Sequence, residues 1–332
     1  MKIGIFYDHP KNYQGGFNYT VNLIRCLTFQ NNKIKIMLFC DPYHFYKFKK
    51  KFNMKNVKII KLSLLDSKNL LFYLHKFLKK FFNSFVFFDY FISKYKVEII
   101  SHSHYYGKKP FIHWLPDFQF LHLPKNFHGK QEKYINETKE IFYKSKKVIL
   151  SSYDCKNDLK KIVLDDAAVE KKTLIYRFPI TLIIKNNNDI NEIRDFLKKN
   201  NILEHKYYFV ANQFWEHKNY EFLFKVFKNL NLNKKKRFIL VSTGSIIDNR
   251  NIKINYIENF KNEIDSGLIK ILGQIDYKFV QGLIYFSKAY INPSKFEGWN
   301  TGVEEAKMMK KHLILSDLSI HREQCEKYNK VN

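Results

Sequence analysis

Two glutamates stand eight positions apart in the run SKFEGWNTGVEEAK, residues 294–307. Glu297 follows a predicted strand, and Glu305 lies in the predicted helix that begins around Thr301 and Gly302. Backbone N–H groups at a helix start favour phosphates, whereas carboxylates accept hydrogen bonds from neutral hydroxyl groups. The pattern therefore predicts a ligand that combines phosphate with sugar or ribose hydroxyls.

A second candidate for phosphate binding is the run VANQFWEHKNYEFLFKVF, residues 210–227, in which a strand and a polar turn precede an amphipathic helix. Lys218 lies at the start of that helix, where a positive charge is unfavourable unless an anion shares the site. With a diphosphate present, the ammonium and the free N–H groups would act together. Because the chain has 52 lysines, a solvated surface lysine is the competing interpretation.

A pair of glycines follows the first predicted strand. Gly15 and Gly16 open a helix, where their lack of side chains allows a ligand to approach the backbone. Their spacing is not that of a dinucleotide-binding loop. A plain turn is the simpler interpretation of these two residues alone.

Polar side chains are dense in the run HWLPDFQFLHLPKNF, residues 113–127, which we interpret as a loop after a strand. The loop would bring together His113, Asp117, Gln119 and His122, and loops of this polarity often carry function. The alternative is that Asp117 caps a turn and the histidines are ordinary.

The elements that must position these residues alternate between short apolar runs and helical patterns, which predicts parallel sheets covered by helices on both faces. The predicted strands are residues 2–8, 33–41, 57–62, 97–104, 109–117, 146–152, 207–214, 237–244, 268–274, 289–295 and 312–317. The rhythm is interrupted at residues 178–193, whose Asn-rich centre predicts a linker. We therefore expect two α/β domains, residues 1–182 and 183–332, with the ligand between them at the carboxyl ends of the strands.

The net charge of +27 suggests nucleic acid or an anionic membrane as a partner. Only 6 of the 58 basic residues are arginine, the side chain that best reads phosphates and bases. We therefore expect no nucleic-acid partner and retain an attraction to acidic surfaces. The four scattered cysteines have no metal-type spacing, and no Asp-x-Asp pair occurs, so no metal is expected.

The most apolar stretch, residues 69–95, has lysines within it and a helical period. Apolar residues recur at positions 71, 74, 77, 78, 81, 82, 85 and 88, with His75 and the lysines on the other side. One interpretation is a helix whose apolar face packs on the core and whose basic face is solvated. The other is a basic amphipathic helix that rests on anionic lipid.

Four sequence runs, which are spread over almost the whole chain, resemble the motifs of one known protein family. PSKFEGWNTGVEEAK resembles the Glu-x7-Glu signature of the retaining, GT-B-fold glycosyltransferases of family 4, the "glycosyl transferases group 1" type. NQFWEHKN, LPDFQFLHLP and ILSDLSIHREQ look like one bacterial branch of that family. The resemblance implies two Rossmann-like domains that face a cleft, a nucleotide-sugar donor held mainly by the second domain, and anomeric retention without a metal or cofactor.

The resemblance also implies roles for individual residues. Lys218 would contact the donor diphosphate, Glu297 the sugar hydroxyls and Glu305 the ribose. The remaining donor-binding residues would be Gly15, Gly16, Gln213, Gly273, Ile275, Asn300, Thr301 and Gly302. The candidate catalytic residues are Asp117, His113 and Glu297, with no nucleophile assigned.

The sequence departs from the family pattern in several places. Gln213 stands where an arginine usually precedes the lysine, and Pro116 stands where a histidine usually precedes Asp117. Relatives also continue beyond the last motif, so we expect a truncated second domain. A non-catalytic relative that binds nucleotide or a partner is therefore the alternative to an active enzyme.

The expected activity is transfer of a hexose from a nucleotide-sugar to a glycan or lipid-linked acceptor, in the synthesis of a surface polysaccharide such as lipopolysaccharide. The N-terminus MKIGIFYDHP has no signal-peptide core. The expected location is therefore the cytoplasm, with the membrane's inner face as a peripheral site.

Overall fold

The computed structural model describes residues 1–11, 14–30, 33–82, 84–103, 105, 107–232, 237–246 and 254–328. The chain divides into two compact units, Met1–Pro179 and Ile180–Asn332. This boundary lies three residues before the one expected from the sequence. Each unit is an α/β domain whose strands run parallel.

Within its described residues, unit 1 contains a seven-stranded sheet with the strand order β3-β2-β1-β4-β5-β6-β7. This is the doubly wound order, in which successive crossovers place helices on both faces. The strands are β1 (Lys2–Tyr7), β2 (Lys35–Cys40), β3 (Val57–Lys61), β4 (Ile99–Ser101), β5 (Phe111–Leu115), β6 (Lys147–Leu150) and β7 (Thr173–Ile175). Ile3, Ile5 and Tyr7 enter one hydrophobic cluster, and Phe6 enters another. Both faces of the sheet are therefore buried.

The helices of unit 1 occupy the crossovers between strands. They are α1 (Gln14–Gln30), α2 (Pro42–Lys51), α3 (Leu70–Phe82), α4 (Val86–Lys94), α5 (Gln119–His122), α6 (Gln131–Lys144), α7 (Tyr153–Val163) and α8 (Asp166–Lys172), with 3-10 turns at Ser63–Leu65 and Pro124–Phe127. The sequence did not indicate β7, which pairs with β6 through three residues. Three residues are too few to show a strand period.

Unit 2 contains, within its described residues, a five-stranded parallel sheet with the order β10-β9-β8-β11-β12. The strands are β8 (Tyr207–Ala211), β9 (Ile239–Thr243), β10 (Ile269–Ile271), β11 (Ala289–Asn292) and β12 (His312–Leu315). The helices are α9 (Asn187–Lys199), α10 (Tyr220–Leu230), α11 (Lys261–Asp265), α12 (Tyr277–Phe286), α13 (Thr301–Met308) and α14 (Ser319–Cys325), with 3-10 turns at Glu216–Lys218 and Tyr256–Phe260. Phe209 and Val210 pack into clusters on opposite faces of the sheet.

The predicted linker at residues 178–193 is wrong in its second half, because α9 begins at Asn187. The Asn-rich segment is the start of a helix: the side chain of Asn186 accepts a hydrogen bond from the backbone of Asp189. Asparagine is a favoured helix cap. A cluster of asparagines therefore resembles a linker and a helix start equally well.

The apolar stretch at 69–95 forms two helices, α3 and α4, and its predicted packing is wrong for α3. His75, placed on the solvated side by the sequence, is the only side chain of the described α3 that is buried. Its ring lies 4.5 Å from that of Phe88. Leu74, Phe77 and Phe81, expected in the core, are exposed. None of the helices in the described part of the chain is long and apolar enough to span a bilayer.

Candidate functional site in unit 2

The loops that follow β8 and β11 meet at one edge of the five-stranded sheet. The two strands are parallel neighbours, with Tyr208 opposite Ala289, so both loops leave from the same edge. The backbone N–H of Lys295 donates to the carbonyl of His217 at 2.7 Å. The side chain of Asn219 donates to the carbonyl of Pro293 at 3.2 Å. These bonds fix the position of one loop against the other.

Lys218 and Glu297 form a buried ion pair at this junction. Lys218 Nζ lies 2.7 Å from Glu297 Oε1, and the two side chains are 12% and 7% exposed. Oε1 also accepts hydrogen bonds from Ser294 Oγ at 2.6 Å, Asn300 Nδ2 at 3.1 Å and Asn292 Nδ2 at 3.2 Å. Burial opposes ionisation of Glu297, but the charge and hydrogen bond of Lys218 and the hydrogen bond from Ser294 outweigh it and lower the pKa to about 2. Glu297 is therefore a carboxylate at neutral pH.

The environment of Lys218 rules out the interpretation of a solvated surface lysine. Within the described residues its ammonium donates one hydrogen bond, to Glu297. An ammonium has three N–H donors, so the group can contact an anion and remain paired with the carboxylate.

The start of α13 lies beside this ion pair. Asn300 is the N-cap: its Oδ1 accepts from the backbone N–H of Val303 at 3.0 Å while its Nδ2 contacts Glu297. The next residues, Thr301 and Gly302, are the first of the helix. One asparagine thus connects the carboxylate to a helix N-terminus, where backbone N–H groups attract anions.

Gly302 allows α13 to approach β11 closely. A Cβ atom at this position would lie 2.1 Å from the hydroxyl oxygen of Tyr290, whose ring is fully buried. We expect Gly302→Ala to lower the free energy of unfolding by about 1–3 kcal/mol, the usual cost of overpacking. Chemical denaturation would measure this change. A free energy of unfolding equal to that of the wild type would contradict the packing role.

Glu305 is buried one turn further along α13, and no cation among the described residues pairs with it as Lys218 pairs with Glu297. Its Oε1 accepts a hydrogen bond from Gln281 Nε2 at 3.2 Å. Burial raises the pKa of Glu305 to about 8, so the carboxyl group is mostly protonated at neutral pH. A protonated carboxyl can both donate and accept, which suits contact with a neutral hydroxyl.

The other predicted donor-binding residues of unit 2 lie in loops at the same edge of the sheet. Gln213 Oε1 accepts from the backbone N–H of Ser245 at 2.8 Å, so this side chain holds the loop after β9. Gly273 has a φ of +67° and open space where a Cβ would project. Its carbonyl accepts from Gly244 N at 2.9 Å. Ile275 packs partly against the core.

Three residues of the site were assigned no role from the sequence. Ser294 and Asn292 donate hydrogen bonds to Glu297. His321 lies near the ion pair, where the charge of Glu297 raises its pKa and the charge of Lys218 lowers it. Burial lowers the pKa of His321, whose Nδ1 lies 2.8 Å from the carbonyl of Ser316. Its buried Nε2 has no hydrogen-bond partner among the described residues. Ser294 belongs to the motif PSKFEG and His321 to the motif SIHREQ. The spacing of the two motifs in the sequence does not show that they lie close together in the fold.

The candidate residues of unit 1 lie within or after strands of the other sheet. Gly15 and Gly16 lie in the first turn of α1, as the glycine pair predicts. The prediction that His113 and Asp117 share a loop is wrong, because His113 is buried within β5. Asp117 follows the strand and accepts from the backbone N–H of Gln119 at 3.2 Å. This turn contact agrees with the capping alternative.

The fourth polar residue of that run also differs from the prediction. His122 ends α5 and its Nε2 lies 2.6 Å from Asp158 Oδ2 on α7. The run therefore divides among a strand, a turn and a short helix, because its apolar residues pack into the core.

Several solved structures that share this fold are glycosyltransferases, and a UDP-GlcNAc 2-epimerase from Methanocaldococcus jannaschii shares it too, 13% identical, with a TM-score of 0.50 over 100% of this chain and 88% of that one. One is HepE from Anabaena in complex with UDP-glucose, 13% identical, with a TM-score of 0.64 over 97% of this chain and 82% of HepE. Another is a glycosyltransferase from Rickettsia africae, 17% identical, with a TM-score of 0.65 over 99% of this chain and 82% of that one. A third is WaaG, a glycosyltransferase involved in lipopolysaccharide biosynthesis, 11% identical, with a TM-score of 0.63 over 100% of this chain and 85% of WaaG.

No protein-family profile matches the sequence, and no curated protein does. At identities this low, the structural likeness shows the fold alone. That fold is the GT-B fold, with two Rossmann-like α/β units in one chain.

Proposed function

We propose that the protein is a glycosyltransferase that binds a nucleotide-sugar donor at the unit 2 site and transfers the sugar to a glycan or lipid-linked acceptor. The observation that carries the proposal is the buried Lys218–Glu297 pair beside the N-terminus of α13. It combines a cation and backbone donors for a diphosphate with a carboxylate for hydroxyl groups. The complex of HepE with UDP-glucose supports the same choice of ligand.

In the proposed reaction the leaving group is a nucleoside diphosphate, whose negative charge grows as the glycosidic bond breaks. The ammonium of Lys218 and the N–H groups of Thr301 and Gly302 would stabilise that charge, as the donors of an oxyanion hole do. Glu297 would accept hydrogen bonds from the sugar hydroxyls through Oε2, because the hydrogen bonds that it accepts from the described residues all go to Oε1. Glu305 would contact the ribose.

The resemblance to family 4 supports three further parts of the proposed reaction. They are a hexose as the transferred sugar, retention of the anomeric configuration, and catalysis without a metal or cofactor. Asp117 and His113 stay candidate catalytic residues, and Gly15 and Gly16 candidate donor contacts. The proposed location is the cytoplasm, with a role in surface polysaccharide synthesis such as that of WaaG.

The test is a transfer assay with a panel of UDP- and GDP-hexoses, sugar acceptors and EDTA. We expect release of nucleoside diphosphate from at least one donor, with an undiminished rate in EDTA. A rate that requires added Mg²⁺ or Mn²⁺ would contradict metal independence. Tight binding of a nucleoside diphosphate with no turnover on any acceptor would favour the alternative of a non-catalytic nucleotide-binding protein.

A further inference from the structure

Helix α3 exposes its apolar side to solvent. Leu70, Tyr73, Leu74, Phe77 and Phe81 are between 44% and 82% exposed. Their spacing of three and four residues places them in one stripe along the helix. His75, the buried side chain of this helix, projects from the opposite side. An amphipathic helix normally buries this stripe, so α3 presents an unpartnered apolar surface.

Lysines lie along one edge of the stripe. Lys76 and Lys80 are exposed and follow Tyr73 and Phe77 by three residues each, so they lie on the same flank of the helix. The Lys76 ammonium is 4.2 Å from the ring centroid of Phe72, and the Lys80 ammonium is 5.2 Å from that of Phe81. Long lysine stems can lie along apolar surface and extend their charges outward.

Positive charge is concentrated in this part of the chain. Residues 41–80 contain 11 lysines and 2 aspartates. The whole of unit 1 contains 33 Lys and Arg against 14 Asp and Glu, a net charge of +19, whereas unit 2 contains 25 against 17, a net charge of +8. The exposed apolar stripe is therefore in the more basic unit, within a segment of high positive charge.

From this juxtaposition we infer that α3 binds the surface of an anionic phospholipid bilayer. The helix would lie in the plane of the interface, with its apolar stripe among the acyl chains and its lysines at the phosphate headgroups. An apolar surface alone would fit many partners, but a basic flank is complementary to a polyanionic surface. It also opposes pairing with a second copy of the same helix, which would bring like charges together.

The experiment is co-sedimentation of the full chain with phospholipid vesicles, without any nucleotide or sugar. We expect binding to phosphatidylcholine vesicles that contain roughly a third phosphatidylglycerol, and weak binding to phosphatidylcholine alone. Raising the salt concentration from about 50 mM to about 500 mM should release most of the protein, because salt screens the attraction.

Two double variants separate the apolar and ionic contributions. Phe77→Ser with Phe81→Ser should lower the partition coefficient by at least about tenfold, because two aromatic rings leave the interface. Lys76→Gln with Lys80→Gln should lower it by on the order of tenfold, and only on anionic vesicles. The matched controls in unit 2 are the exposed pairs Phe222→Ser with Leu230→Ser, and Lys198→Gln with Lys199→Gln. These should bind as the wild type does.

The inference is overturned if the wild type does not bind anionic vesicles or if the α3 variants bind as well as their controls. Equal binding to neutral and anionic vesicles would also contradict it. If sedimentation velocity instead showed a dimer that Phe77→Ser with Phe81→Ser dissociates, the occupant would be a second copy of the chain. Donor binding is a separate measurement, so failure here leaves the proposed function standing.

Discussion

Lys218→Met is expected to lower the rate of sugar transfer by about 10²- to 10³-fold, the usual effect of removing a donor that stabilises the charge of a transition state. It should also lower the free energy of unfolding by about 3–5 kcal/mol, because Glu297 is left buried and without its cation. A transfer assay and chemical denaturation would measure the two effects.

A second substitution separates catalysis from stability. Adding Glu297→Gln to Lys218→Met removes the uncompensated charge, so most of the lost stability should return while transfer stays low. The matched control is Lys225→Met, which breaks an exposed pair with Glu221 whose atoms are 2.8 Å apart. It should cost about 0.5 kcal/mol or less. Wild-type transfer rates in the double variant would exclude a role for this pair in the reaction.

Glu305→Gln is expected to change how stability depends on pH. The pKa of Glu305 is raised in the folded protein from 4.5 to about 8. The folded state therefore retains a proton that the unfolded state loses, and the contribution of Glu305 to stability is greatest below pH 4.5 and is lost as pH rises to 8. At about 1.4 kcal/mol per pKa unit, the loss between pH 5 and 8 is on the order of 3 kcal/mol.

Glutamine cannot ionise, so the variant should lack this loss. The two proteins should be similar in stability at pH 5, and the variant should be more stable at pH 8. Denaturation across this range would measure the difference, with the exposed Glu326→Gln as control. A wild-type minus variant difference that is constant with pH would mean that the Glu305 carboxyl is not protonated in the folded protein.

The sequence predicts the architecture well because each strand or helix depends on the spacing of apolar residues within a short segment. Each strand named from the sequence is present in the structure, and the elements that were missed are β7, the helix start at Asn187 and the division of residues 69–95 into α3 and α4. Parallel strands end at a common edge of the sheet, so the order of elements already places Lys218 and Glu297 on the same side of unit 2. Their direct contact could not be predicted, because it depends on β8 and β11 being neighbours and not merely parallel.

Helix α3 shows what a hydrophobic period leaves undetermined. The period identifies which side chains share a face, but not whether that face meets the protein or another surface. The exposure of Leu74, Phe77 and Phe81 and the contact of His75 with Phe88 show that the apolar stripe faces outward. The prediction of a single polar loop at residues 113–127 failed for a similar reason. The apolar residues of this segment pack into the core, and their packing determines where its polar residues lie.

The most direct test of the central claim is isothermal titration of the protein with UDP, GDP and ADP in EDTA. We expect at least one of them to bind the wild type, because a diphosphate would contact Lys218 and the N-terminus of α13. Binding should be lost in the stable Lys218→Met, Glu297→Gln double variant. Failure of all three nucleotides to bind the wild type, or equal affinity in the double variant, would contradict the account.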